Sequence, residues 1–229
     1  MTNPVYCAVD TADKDHARAL AARVAGRVGG IKLGLEFFMA NGREGVATVA
    51  GESGVPVFLD LKLHDIPNTV AGAVRALAAC PYDILTVHAG GGSDMMRAAK
   101  DAARPGAKVV GVTVLTSMDE YDLAATGVIG TPADQVRRLA VLAQGAGLDG
   151  IVCSAHEVAA MRAAWPEGVF IVPGIRPAGS DIGDQKRVMT PREAMAAGAS
   201  ILVVGRPITG ADDPGAAADA IFQSLCQSL

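Results

Sequence analysis

Short apolar runs, each followed by an alanine-rich segment with helical spacing, recur along the whole chain. The runs fall at Val5–Asp10, Ile31–Leu35, Val57–Lys62, Ile84–His88, Lys108–Leu115, Gly150–Cys153, Phe170–Ile175 and Ile201–Gly205, and their length and β-favouring content predict strands. The intervening period of Ala, Leu and Val predicts helices over Asp13–Val28, Asn41–Glu52, Asn68–Ala79, Ser93–Ala103, Pro132–Gln144, His156–Ala164, Pro191–Ala197 and Asp213–Ser228. Asn68, Ser93 and Pro132 stand where cap or first-turn residues belong. Each helix carries the chain back to the side where the next strand starts, so the strands pair in parallel.

Alternating strands and helices fit either a closed eight-fold barrel or an open doubly wound sheet. Eight units in 229 residues lie near the lower size of the barrel. An open sheet usually carries a glycine-rich fingerprint after its first strand, and Asp10-Thr11-Ala12-Asp13 stands there instead. The expected fold is therefore α/β, a (β/α)8 TIM barrel, with residues 1–229 as one domain, since no linker or low-complexity tract interrupts the pattern. Two strand-to-helix connections, Thr116–Thr131 and Arg176–Thr190, are long; in a barrel they lie on the catalytic face, where long loops are lid candidates.

Composition narrows the partners. Half the residues are hydrophobic, 19% are charged, and the formal net charge of −4 argues against a general nucleic-acid or membrane surface while leaving room for a small basic pocket. Met1–Asp10 lacks the basic start and apolar core of a secretory signal, and no apolar stretch spans a bilayer uninterrupted. Cys7, Cys80, Cys153 and Cys226 are far apart, which suggests neither a zinc site nor a disulfide framework and fits a reducing, cytoplasmic setting.

In a barrel the C-terminal strand ends converge on one mouth. Those ends carry Asp10, Lys32, the Asp60/Lys62/Asp65 group, His88, Thr116 with Ser117, Arg176, and Gly205 with Arg206. The stretch Val57–Thr69 is the most heavily loaded: an apolar strand turns abruptly into Asp60, Lys62, His64 and Asp65 before Pro67 and Asn68 end it. Asp60 and Lys62, two apart, share one face of the strand. Alone, such a pair reads equally well as a structural ion pair. Gly205-Arg206 closes the eighth strand, at the usual phosphate site of barrels, where glycine admits a ligand to the backbone and arginine offers a fork of donors. The plainer reading of Arg206 is a solvated surface side chain. Arg176 ends the seventh strand in the same manner, and Gln185, in the polar Gly179–Arg187 loop, could reach over a phosphate as an uncharged donor. His88 reads as a hydrogen-bonded structural histidine, His64 has no obvious proton to move, and Trp165 reads as packing at a helix end. Asp119, Glu120 and Asp122 read as a solvated face, with a metal site as the alternative.

With these residues assembled, the sequence resembles the orotidine 5′-monophosphate decarboxylase family. The matching segments are Ala8-Val9-Asp10, Ile31-Lys32-Leu33-Gly34, the block from Asp60 through Lys62, His64, Asp65, Ile66, Pro67 and Asn68 to Thr69, Val114-Leu115-Thr116-Ser117, Pro173-Gly174-Ile175-Arg176 and Val204-Gly205-Arg206-Pro207, in the family's order. The resemblance implies release of CO2 from orotidine 5′-monophosphate to give uridine 5′-monophosphate, with no cofactor and no metal, in a homodimer. It implies Lys62 as proton donor, flanked by Asp60 and Lys32, with Asp10 and Lys32 on the ribose. Asp65 would be lent by the neighbouring subunit, and the Asp65–Thr69 end of the block, Ile66 included, would face the partner's ligand with Thr69 near its ribose. Thr116 and Ser117 would meet the pyrimidine, either of them making the closer contact, and Arg176, Gln185, Gly205 and Arg206 would form the phosphate and lid group.

Two rivals remain at this point. Barrel decarboxylases or aldolases of the same superfamily that act on sugar phosphates with Mg2+ share the D-x-K-x-x-D core, but they use an acidic residue near the end of strand two to help hold the metal, and Lys32 occupies that strand here. A catalytically silent nucleotide-binding barrel would keep the phosphate group without needing the group around Lys62.

Overall fold

The structure, a computed structural model, describes residues 3–177 and 189–226. Among these residues eight strands, β1 (Val5–Val9), β2 (Gly30–Gly34), β3 (Val57–Leu63), β4 (Ile84–His88), β5 (Lys108–Val112), β6 (Gly150–Val152), β7 (Val169–Val172) and β8 (Ile201–Val204), pair in parallel in chain order. β8 returns to β1, with Val5 opposite Leu202, and closes the expected (β/α)8 TIM barrel.

Two-residue alternation sorts each strand between two apolar layers. Along β1, Val5, Cys7 and Val9 join the large cluster shared with the helices, whereas Tyr6 and Ala8 belong to the inner one. Along β3 the same parity sends Val57, Leu59 and Leu61 outward and Phe58 inward. Phe58 packs inside with Ala8, Ile84, Val110, Ile171 and Val203, so the barrel interior is filled. Burying one such large apolar side chain contributes about 1.5–3 kcal/mol. Continuing the inward parity of β1 and β3 past this plug brings Asp10, Asp60 and Lys62 to the mouth.

The helices are α1 (Lys14–Val24), α2 (Leu35–Ser53), α3 (Pro67–Ala76), α4 (Ser93–Ala102), α5 (Glu120–Ala125), α6 (Pro132–Gly145), α7 (Ala155–Ala164), α8 (Pro191–Ala196), α9 (Arg206–Thr209) and α10 (Pro214–Cys226). No described helix is long and apolar enough to cross a membrane. Several boundaries differ from the sequence reading for local reasons. α2 starts at Leu35 rather than Asn41 because a helical segment precedes a break at Gly42, whose φ of 59° and ψ of −159° only glycine adopts easily. α3 starts at Pro67, one residue before Asn68, which stands in its first turn as expected, and α4 starts at Ser93 as expected, with Ile66 and Gly92 at the respective cap positions. β5 stops at Val112 instead of Leu115, and the Thr113 hydroxyl donates to the Val152 carbonyl at 2.8 Å. Asp119 caps α5, a helix the sequence reading lacked, and forms a capping box with Asp122, so this acidic pair serves a helix terminus.

Candidate active site

A cavity of about 620 Å³ opens above the filled interior. Its floor includes Ala8, Phe58 and Val203, and Asp10, Lys32, Asp60, Lys62, Thr116, Ser117, Arg176, Gly205 and Arg206 all line it. These side chains come from positions scattered from 10 to 206 in the sequence, gathered because every parallel strand ends on the same face.

The charged side chains form a row. Lys32 Nζ lies 3.0 Å from Asp10 Oδ1 and 3.7 Å from Asp60 Oδ2, and Lys62 Nζ donates to that same Asp60 oxygen at 2.7 Å. Acid and base therefore alternate as Asp10, Lys32, Asp60, Lys62. The Asp60 and Lys32 side chains retain only 12% and 13% of their exposure, and Lys62 retains 31%. Charges this far out of water persist because each has an opposite neighbour. Gly34 leaves room for the arrangement: a β-carbon there would stand 3.1 Å from Lys32 Nζ.

Lys62 is also unusual in its backbone. Its φ of 49° makes it the one residue other than glycine with positive φ among the described residues, a conformation that costs an L residue of order 1–2 kcal/mol. The strand is irregular at the same place. Leu59 pairs with Leu85 and Leu63 with Val87, so Asp60, Leu61 and Lys62 together face the single residue Thr86. Thr86 is fully buried, and its hydroxyl donates to Asp60 Oδ1 at 3.0 Å. Sequence reading missed this residue; a threonine inside Ile84–His88 looks like any strand-favouring residue.

On another part of the lining, Arg176 is largely buried and donates from Nη1 to the Ile175 carbonyl at 3.0 Å, while its backbone N–H donates to the Met189 carbonyl at 3.1 Å. Gly205 and Arg206 open the single turn α9 directly after β8. Thr116 and Ser117 are both lining residues, Thr116 the less exposed. Gln185 and the Gly179–Arg187 lid candidate lie outside the described residues. Asp65, Ile66 and Thr69 are exposed and do not line the cavity of their own chain. The Asp65 carboxylate accepts from the Ile66 N–H at 2.6 Å, and Ile66 is 66% exposed.

The two histidines of this region stack on one another, with ring centroids 5.1 Å apart and planes within 12°. His88 Nδ1 accepts from the Gly90 N–H at 3.2 Å, in keeping with the hydrogen-bonded histidine expected. Burial, then His64 and Lys62, lower the pKa of the His88 ring from its ordinary value, which favours its neutral form.

The sequence model of the orotidine 5′-phosphate decarboxylase / HUMPS family matches residues 3–221. Over 225 residues the chain is 59% identical to the orotidine 5′-phosphate decarboxylase of Novosphingobium aromaticivorans, an alignment covering 98% of this chain and 100% of that protein. Identity to the orotidine 5′-phosphate decarboxylase of Thermobifida fusca is 52% over 226 residues, covering 98% of this chain and 97% of that one. The crystal structure of orotidine 5′-phosphate decarboxylase from Lactobacillus acidophilus is similar with a TM-score of 0.86 at 35% identity, covering 98% of this chain and 100% of that one. By sequence along nearly its whole length and by the fold those residues adopt, the chain belongs to the orotidine 5′-phosphate decarboxylase / HUMPS family.

Proposed function

We propose that this protein decarboxylates orotidine 5′-monophosphate to uridine 5′-monophosphate, the last step of pyrimidine nucleotide synthesis, without a cofactor. The observation that carries the reading is the Asp10–Lys32–Asp60–Lys62 row inside a cavity that also holds Arg176 and Arg206. Four cationic side chains against two carboxylates give that lining an excess of positive charge, which suits a substrate bearing a phosphate and a carboxylate.

Breaking the bond between C6 and the carboxyl group leaves its electron pair on C6, where the pyrimidine ring cannot delocalise it well. Stabilisation must then come from fixed charges. Lys62 presents its ammonium to the developing carbanion and gives C6 a proton; the neutral amine regains one from water. Unit charges about 4 Å apart interact by about 4 kcal/mol at an effective dielectric of 20, so one ammonium accounts for only part of a large rate enhancement. Binding of the remote phosphate by Arg176 and Arg206, beside the Gly205 backbone, offsets the cost of setting the substrate carboxylate against Asp60, a repulsion relieved as CO2 departs. Asp10 and Lys32 hold the ribose, and Thr116 and Ser117 contact the pyrimidine.

The same reading makes the working unit a homodimer in which the partner subunit's Asp65 and the partner subunit's Thr69 complete each site. Its support is the exposure of the whole 64–69 run, with Ile66 presented to solvent, and of Leu35 and Met39 at the start of α2, 45% and 75% exposed. The Mg2+-dependent sugar-phosphate chemistry found in the superfamily fits less well, because Lys32 stands where an acidic ligand would be needed and pairs with both carboxylates of the row.

Two results test the proposal. Purified protein should release CO2 from orotidine 5′-monophosphate at the same rate before and after exhaustive chelation; an inert preparation sinks the reading, and a rate that vanishes with chelator and returns with Mg2+ transfers the protein to the metal-dependent branch. Arg206→Ala should weaken uridine 5′-monophosphate by about tenfold to a hundredfold, the loss of roughly 1.5–3 kcal/mol expected for a charge-assisted hydrogen bond, and leave binding of the unphosphorylated nucleoside unchanged. Equal affinity of wild type and variant for the nucleotide, measured by calorimetry, would remove Arg206 from the phosphate site.

A further inference from the structure

We propose that Thr86 is a positioning residue of this site, whose single hydroxyl fixes the backbone of Lys62 and the carboxylate of Asp60 relative to each other. The inference rests on the decarboxylase reading for its kinetic consequence and on geometry alone for its structural one.

Thr86 is wholly buried in β4, and its hydroxyl is engaged twice: Oγ1 accepts from the Lys62 N–H at 2.8 Å and donates to Asp60 Oδ1 at 3.0 Å. The direction of both bonds is forced. A backbone N–H can only donate, so the hydroxyl accepts there and its one proton goes to the carboxylate. The position is equally specific. β3 sets three residues against Thr86 alone, so a regular ladder cannot satisfy the Lys62 N–H, and the side chain takes the place of the missing carbonyl. That bond holds Lys62 in the left-handed conformation it would otherwise leave.

The bond to Asp60 acts on the other partner. With Oδ1 tethered to Thr86, the carboxylate cannot rotate, and Oδ2 stays directed at Lys62 Nζ, 2.7 Å away, and towards Lys32 Nζ at 3.7 Å. One hydroxyl thereby sets where the Lys62 side chain departs from the backbone and where its counter-ion waits for it. Methyl in place of hydroxyl would leave a buried N–H unpaired and the carboxylate free to turn, while changing volume hardly at all.

Thr86→Val and Thr86→Ser, assayed beside wild type on orotidine 5′-monophosphate, separate positioning from packing. Thr86→Val should lower kcat by about tenfold to a hundredfold, the scale expected when a reacting group is misplaced, with KM and product affinity changed much less. Thr86→Ser, which restores the hydroxyl but loses the methyl, should recover most of the kcat. A purely structural role would instead lower Tm in both variants and leave kcat per folded molecule alone. Wild-type kcat in Thr86→Val, or equal impairment in both variants, overturns the proposal. If Thr86→Val folds too poorly for kinetics, Thr86→Cys, similar in size with a weaker donor, must show the same selective fall in kcat. A crystal structure of Thr86→Val decides the geometric part even if wild type does not act on orotidine 5′-monophosphate: Lys62 with its φ unchanged and its ammonium still on Asp60 Oδ2 would end the inference, while inactivity of wild type would end only the assigned reaction.

Discussion

Lys62→Ala should release no measurable CO2 from orotidine 5′-monophosphate and should still bind uridine 5′-monophosphate. On the proposed mechanism the substitution removes two things at once, the cation facing C6 and the proton that C6 must receive. The electrostatic part alone, about 4 kcal/mol for charges about 4 Å apart at an effective dielectric of 20, corresponds to roughly a thousandfold in rate, and loss of the proton source adds to it. Product binding should survive because the groups proposed to hold the phosphate and ribose, Arg176, Arg206, Asp10 and Lys32, are untouched. Asp60 loses its 2.7 Å partner but keeps Thr86 and the Lys32 ammonium at 3.7 Å, so the pocket is not left with an unaccompanied buried charge. Single-turnover mixing with quantified CO2, together with calorimetry of the product, makes the check. Residual decarboxylation within a hundredfold of wild type would mean that another group protonates C6.

The contrast between Lys62 and Thr86 shows which parts of the site were legible in the sequence. The barrel was, because a repeated alternation of short apolar runs and alanine-rich helices admits few topologies and the missing glycine-rich fingerprint disfavours the open sheet. Once the barrel is granted, convergence of the strand ends follows from parallel pairing, and Asp10, Lys32, Asp60, Lys62, Arg176 and Arg206 are charged residues at or near those ends, Lys32 reaching the cavity from the middle of β2. The bulge was not legible. A regular strand already places Asp60 and Lys62 on one face, so nothing in their spacing announces that Lys62 has φ of 49° or that three residues stand opposite one. Thr86 was hidden for a related reason: its importance lies in two hydrogen bonds across to another strand, and a β-branched residue in a strand calls for no special explanation. The first half of α2 escaped because Gly42 splits the periodicity, and α5 because six residues in a long loop carry too little pattern to separate a helix from a polar surface.

The most exposed part of the signature block leads to the second large effect. Within one chain Asp65 accepts only its neighbour's N–H among the bonds of the described residues, outside the cavity lining, although it follows Lys62 by three positions in the sequence. If its carboxylate completes the site of the other subunit, then Lys62→Ala and Asp65→Asn, each nearly inactive alone, repair one another when mixed. A dimer with one chain of each kind has one site lacking both groups and one with both intact. Random exchange of equal amounts makes half of the dimers mixed, so about one quarter of wild-type activity should return, with the time course set by subunit exchange. Differently tagged chains allow the mixed dimers to be isolated, and these should show about half the wild-type activity per dimer. A recovered mixed dimer as inactive as its parents would mean that Asp65 serves the chain that carries it, reached by a rearrangement of the 64–69 run, and the partner-completed site would have to be abandoned while the role of Lys62 stood.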